Sequence, residues 1–378
     1  MDTGISIFHF NDKINFWLVR ANGGNYFDDF INNDYIGIKY NRVTVSDLNK
    51  LKSKEIVSLD NVRNLMFEQY AKSKKSSVEA LSTISKSQLT VHAKQTYLFN
   101  FEMKIGDFIL TPNKKSYEFA LGVVVSEAYD ERIDVIAQRK EEFENGDIAY
   151  VPSDYRKRRK ICWLSILERR ELPRELAWIM NAHQAVALLY IPDKSQLLNL
   201  VSPIYKYNDK YYLRIFTQQG GELSVYDWSA FLSLLPEKRR KAIELHADVN
   251  SPGFFTFLTY NVDDIKNILN LIFGSSANNY LRWMVVTGGV IVGLVGMDNL
   301  KNKGIIEWWQ DVCKRHKQNK VDNLKLDNEY QQLKTSKGKG NKGIIHKLKL
   351  KLKRPGKKID KNNDKIVPLD LKDKKHEL

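Results

Sequence analysis

The stretch Phe16-Trp17-Leu18-Val19-Arg20-Ala21-Asn22-Gly23-Gly24 decides the fold, together with Tyr35-Ile36-Gly37-Ile38-Lys39-Tyr40 and the later Lys104-Ile105-Gly106-Asp107-Phe108-Ile109-Leu110-Thr111-Pro112. Each piece is a short apolar run broken by Gly or Pro, the punctuation of strands in a small β-barrel. The run Phe16–Arg20 ends in a charge and meets a Gly pair, so the chain can turn tightly there and let another backbone or a ligand come close. Gly106-Asp107 reads as a turn feeding a second strand, and Leu121-Gly122-Val123-Val124-Val125 is a third. These strands carry no catalytic triad.

Taken in order, Trp17-Leu18-Val19-Arg20, Gly106-Asp107, Leu121-Gly122-Val123 and Arg158-Arg159-Lys160-Ile161-Cys162-Trp163-Leu164 resemble the EVE-like, PUA-related module at the N-terminus of Mrr-type restriction endonucleases. The resemblance covers about residues 14 to 165. It implies a PUA-like barrel that reads nucleic acid, DNA ahead of RNA, and binds modified or flipped bases. In the restriction enzymes the module is joined to a nuclease domain, and none is found after it here. The resemblance therefore implies an accessory or sensor protein of a bacterial restriction or anti-phage system.

A chain of 378 residues is long enough for two or three domains with a substantial core. Its two cysteines, Cys162 and Cys313, suggest neither a disulfide framework nor a metal site, and a reducing cytoplasm fits them. The first eleven residues lack the features of a secretory signal, so the terminal Lys375-His376-Glu377-Leu378 is not expected to act as a retention tag. The net charge is +15, and Lys334–Lys358 alone holds eleven Lys or Arg and no acid. The body is therefore near balance, which argues against a grip on nucleic acid by the whole surface and for a local basic tail.

The expected fold is α+β: an N-terminal PUA-like β-barrel with a helical insertion, a second small α+β domain, a C-terminal helix and a basic, disordered tail. The boundaries are placed at 1–185, 186–260, 261–333 and 334–378. Within the first part, residues 44–95 read as a helical insertion, with Val62, Leu65, Met66 and Tyr70 at helical spacing, and Pro173 opens a further helix. Within the second, Asn208-Asp209 reads as a hairpin turn, Asp227–Leu235 as a helix and Ile243–Val249 as an alternating strand. An amphipathic helix is expected over 306–333.

The candidate nucleic-acid-binding residues combine aromatic faces with cations: Trp17, Arg20, Gly23, Gly24, Tyr35, Tyr40, Arg156, Arg158, Arg159 and Trp163. Bases stack on such rings and phosphates meet such cations. The bland alternative is that both tryptophans are barrel core and that Arg156–Lys160 is a solvated strand edge. In the tail, Lys347, Lys349, Lys351, Lys353 and Arg354 suit phosphates or anionic lipid.

No metal, cofactor or nucleotide-hydrolysing loop is expected. The seven histidines have no His or Cys partner at ligand spacing, and no phosphate-binding glycine loop is present. Glu102-Met103-Lys104, and Asp130 or Asp134 with Gln138-Arg139-Lys140, are weak nuclease candidates, because an acid, acid and Lys set must share one metal.

Trp283–Met297 is uncharged and contains Gly289-x-x-x-Gly293. As a helix it would reach only ~22 Å against a hydrocarbon core of ~30 Å, so a buried helix or hairpin is expected. A membrane-associated effector that uses this segment is the alternative reading. The expected location is cytoplasmic, with membrane association as the variant; a membrane surface, an effector protein and a second copy are the further partners considered.

Overall fold

The computed structural model describes residues 5–10, 12–76, 86–217, 225–235, 237–247, 254–273, 281–287, 290–295, 350–351, 356–357 and 359. The chain forms β1 (Ile5–Phe10), β2 (Phe16–Val19), α1 (Phe27–Asn32), β3 (Tyr35–Ile38), α2 (Val45–Ser53), α3 (Leu59–Ser76) and α4 (Lys86–Tyr97). A π-helical turn at Leu98–Glu102 leads to β4 (Phe108–Pro112), β5 (Glu118–Val124), β6 (Tyr129–Asp130), α5 (Ile133–Glu144) and β7 (Lys157–Glu168). After a short 3-10 stretch at Arg174–Met180 come β8 (Val186–Leu188), α6 (Ser195–Val201), β9 (Ile204–Tyr207), β10 (Lys210–Thr217), α7 (Val225–Ser233) and α8 (Glu237–Arg240). The remaining elements are β11 (Glu244–Ala247), β12 (Phe254–Thr259), α9 (Val262–Phe273), β13 (Leu281–Thr287), β14 (Val290–Val295) and β15 (Leu350–Lys351).

The molecule is mixed α+β, built on two sheets. One curls into a half-barrel with strand order β3-β7-β5-β4-β2-β8, and β6 pairs with β7. Within it β2 and β4 run parallel, a pairing that needs a long crossover, and helices α2 to α4 lie within that crossover. Strands β2, β3 and β4 are buried along their whole length, which is why they read as continuous apolar runs instead of alternating ones. Phe16, Leu18, Phe108, Leu110, Phe119 and Leu121 pack into one core, and Trp17, Val19, Ile36, Ile109, Ala120 and Val124 into another. Gly122 has no room for a side chain, since a Cβ would lie 2.4 Å from Ile161 Cγ2, and the β5–β7 register shifts beside it.

The second sheet has the order β11-β12-β10-β9-β1-β13-β14, with β15 added on β10. Within it β1 runs parallel to β9 on one side and to β13 on the other. Phe10 of β1 sits 6.1 Å from Phe108 and 5.9 Å from Tyr205, ring centre to ring centre, so it joins the two sheets in a common core. On α9, Ile265, Ile268, Leu269 and Ile272 follow helical spacing and cover Ile204, Leu213, Ile215, Phe255 and Phe257.

The hairpin about Asn208 forms as expected, with Asn208 at φ 52° in its turn. Of Trp283–Met297, the described part is an extended hairpin, β13 against β14. Among the described residues no helix is long and apolar enough to cross a membrane. The helix expected over 306–333, and Lys347, Lys349, Lys353 and Arg354 of the tail, lie outside the described residues. Lys351 lies in β15, where it pairs with Phe216. Cys162, buried in β7, is disulfide-bonded, contrary to the expectation from the cysteine spacing, and its partner lies outside the described residues.

Phe10→Ala should lower stability by about 3–5 kcal/mol, because the cavity it leaves lies where the two sheets meet. Urea unfolding followed by tryptophan fluorescence checks this, and an unchanged midpoint would show that β1 is not part of the core.

Candidate nucleic-acid interface

The basic run of β7 is folded inward. Lys157, Arg158 and Arg159 are each no more than 1% exposed. Successive residues of a strand point to opposite faces, so burying all three requires cover on both sides. On one face Lys157 Nζ donates to the carbonyls of Tyr40 and Val43. There also Arg159 donates to the carbonyls of Phe99 (2.8 Å), Ser126 (2.9 Å) and Asn100 (3.2 Å). From the other face Arg158 donates to the Tyr155 carbonyl (2.8 Å), the Ser153 carbonyl (3.3 Å) and Glu131 (3.2 Å), with its guanidinium 3.9 Å from the centre of the Tyr35 ring. Burial pushes the Lys157 amine down to about 8 and Arg159 down to about 10. Of the five cations of the run, only Lys160 is exposed, and Arg156 is half-buried.

The aromatic candidates are likewise committed to the interior. Trp17 Nε1 donates to Asp107 Oδ2 at 2.8 Å, and Trp163 Nε1 donates to the Phe30 carbonyl at 3.0 Å. Asp107 also accepts from the backbone N–H groups of Asn15 and Lys104; burial raises its pKa, and these hydrogen bonds oppose the rise. The Tyr35 hydroxyl donates to the buried Asp29, which also accepts from Asn33 Nδ2 (2.6 Å) and Ser153 N–H (2.7 Å). Arg20 Nη2 donates to the Ile179 carbonyl at 2.5 Å. Tyr40 is half-buried at φ 80°, stacked 3.9 Å from His92, with its hydroxyl 3.3 Å from Gln95 Oε1. Of the Gly pair, Gly24 is pressed against the 113–114 backbone, where a Cβ would lie 2.2 Å from Lys114 N, whereas Gly23 faces open space.

Gly24 leads to a surface that the sequence reading missed. The β4–β5 turn, held by Asn113 Oδ1 accepting from Tyr117 N–H (3.1 Å) and Glu118 N–H (3.2 Å), presents Lys114, Lys115 and a Tyr117 that is 61% exposed. Arg169 N–H donates to the Tyr117 carbonyl at 2.9 Å, which brings the exposed Arg169 and Arg170 to the same rim. Glu118 and Glu168 face each other across β5 and β7 beside it, and Arg170 pairs with Glu168 at 2.8 Å. An open aromatic ring among cations can stack on a base while lysine and arginine meet phosphates. The signal in the sequence was Asn113-Lys114-Lys115-Ser116-Tyr117, a turn signature carrying two cations and a ring.

The nuclease candidates are dispersed. Glu102 and Lys104 are both exposed, Asp130 Oδ2 accepts from Val45 N–H at 2.7 Å at the start of α2, and Asp134 pairs with Arg132. Among the described residues no three His, Cys, Asp or Glu gather as a metal site. No protein-family model, curated protein or solved structure matches this chain.

Arg159→Ala should lower stability by about 3 kcal/mol, since it empties a fully buried guanidinium site and strands three carbonyls, that of Phe99 buried and those of Asn100 and Ser126 partly so. The loss is read by urea unfolding; an unaffected stability would place the guanidinium outside the core. Lys157 gives a pH signature. Below about 8 its amine is charged both folded and unfolded, but between about 8 and the ordinary lysine value of 10.5 the unfolded chain binds the extra proton. Stability from this site therefore rises with pH across that window. In Lys157→Met that rise should vanish from the pH dependence of unfolding.

Proposed function

We propose that this chain is a nucleic-acid-binding protein, a reader of DNA built on a PUA-like, EVE-like half-barrel. The observation that carries the binding reading is the rim where the turn bearing Lys114, Lys115 and the exposed Tyr117 is joined, through the Tyr117 carbonyl, to the strand end bearing Arg169 and Arg170. Support for DNA, for a modified base and for a cytoplasmic accessory or sensor role in bacterial restriction or anti-phage defence comes from the order of the spaced motifs that resemble the EVE-like module. The basic stretch Lys334–Lys358 adds a second source of phosphate contacts. Trp17, Tyr35, Arg158, Arg159 and Trp163 then serve as the frame of the reader and not as its contact surface. The membrane-effector alternative would require Trp283–Val295 to leave the sheet it shares with β1.

The test is fluorescence anisotropy with duplex oligonucleotides, with and without base modification, over a range of salt. Changing Lys114, Lys115 and Arg169 together to Ala should reduce the log-log salt slope by up to about three. Tyr117→Ala should cost ~1–3 kcal/mol of affinity if a base stacks on the ring. An unchanged slope in the triple variant would overturn this placement of the surface.

A further inference from the structure

Gly356 and Lys357, at the far end of the basic stretch, sit on this same rim. The backbones of Lys357 and Ile166 bond reciprocally: Lys357 N–H donates to the Ile166 carbonyl at 2.6 Å and Ile166 N–H to the Lys357 carbonyl at 2.8 Å. Gly356 N–H donates to Glu171 Oε1 at 3.0 Å. Lys357 Nζ lies 2.9 Å from Glu168 and 3.8 Å from Glu118, the acids that β5 and β7 set opposite each other. The fit demands glycine, because position 356 has φ +78° and a Cβ there would lie 2.6 Å from the Ile166 carbonyl oxygen.

We propose that Glu118, Glu168, Glu171 and the Ile166 backbone form a docking site for the chain's own Gly356–Lys357 segment, and that the docked segment completes the polyanion-binding rim. The second half rests on the nucleic-acid-binding reading. Charge explains why completion is needed. The cations Lys114, Lys115, Arg169 and Arg170 stand against the acids Glu118, Glu168 and Glu171, four against three, so the bare rim has a net charge of only one. Lys357 doubles that net charge and places its ammonium directly on the acids that would otherwise repel a phosphate. With Lys357 63% exposed, the ion pairs alone hold weakly and are screened by salt, so the backbone bonds and the glycine fit set the register.

The experiment uses the full chain and compares it with Gly356→Ala, which changes no charge. Amide hydrogen exchange should show Ile166 and Lys357 protected in the parent and exchanging fast in Gly356→Ala. A duplex DNA oligonucleotide should bind Gly356→Ala more weakly, by about three- to tenfold, with a shallower salt dependence. Lys357→Gln, which keeps the backbone bonds, should retain the protection but share the weaker binding. Unprotected amides in the parent, or protection that survives Gly356→Ala, would overturn the docking. Lost protection with equal or tighter DNA binding would overturn the role in the rim. If the parent binds no DNA, the nucleic-acid-binding reading and the rim role fall together, while the exchange comparison still decides the docking.

Discussion

Three cations buried side by side on β7 are the constraint on which the rest of the half-barrel depends. Removing a charge from water is expensive, and it is tolerated only where donors meet enough acceptors. Lys157, Arg158 and Arg159 meet that condition almost entirely with backbone carbonyls: those of residues 40 and 43, of 153 and 155, and of 99, 100 and 126. The carbonyls of residues 40, 43, 126, 153 and 155 belong to irregular segments, which have no ladder of their own to satisfy them, and those of 99 and 100 to the π-helical turn. One strand thereby fastens the turn after β3, the π-helical turn before β4, the chain after β5 and the approach to β7. The helical crossover between β2 and β4 is held to the sheet at its start and end by side chains from a strand that comes later in the chain.

A second buried polar device links the motifs that give the chain its character. Asp107 accepts from Trp17 Nε1 and from the backbone of residues 15 and 104, so it ties the parallel pair β2–β4 at its entrance. Asp29 plays a similar part with Tyr35, Asn33 and the Ser153 backbone. Trp17, Asp107, Tyr35 and Arg158 therefore build the frame of the half-barrel. The open ring and the exposed cations lie instead at the rim of the sheet, on a turn and a strand end, where loops conventionally carry function on a rigid scaffold.

Much of the fold was legible from local pattern. The glycine-punctuated apolar runs became β2 to β5, residues 44–95 became three helices, and Asn208-Asp209 turned the β9–β10 hairpin. What was not legible is non-local. That β1 belongs with β9 and β13 depends on partners some two hundred residues away or more, and nothing in Ile5–Phe10 names them. Trp283–Val295 left helix and hairpin both open to a reader of periodicity, and pairing with β1 selected the extended form.

By itself the sequence determined the strands, the helical insertion, the local basic tail and the turn chemistry, because each follows from properties of neighbours along the chain: backbone freedom, alternation and charge density. Only the tertiary structure decided which cations are frame and which are surface. Arg158-Arg159 and Lys114-Lys115 are both adjacent cation pairs in the sequence, yet one pair is wholly enclosed and the other exposed. The difference lies in carbonyls and rings contributed by distant segments. Burial of a charge is settled by whether those acceptors arrive, and that is a property of the folded chain and not of the residue.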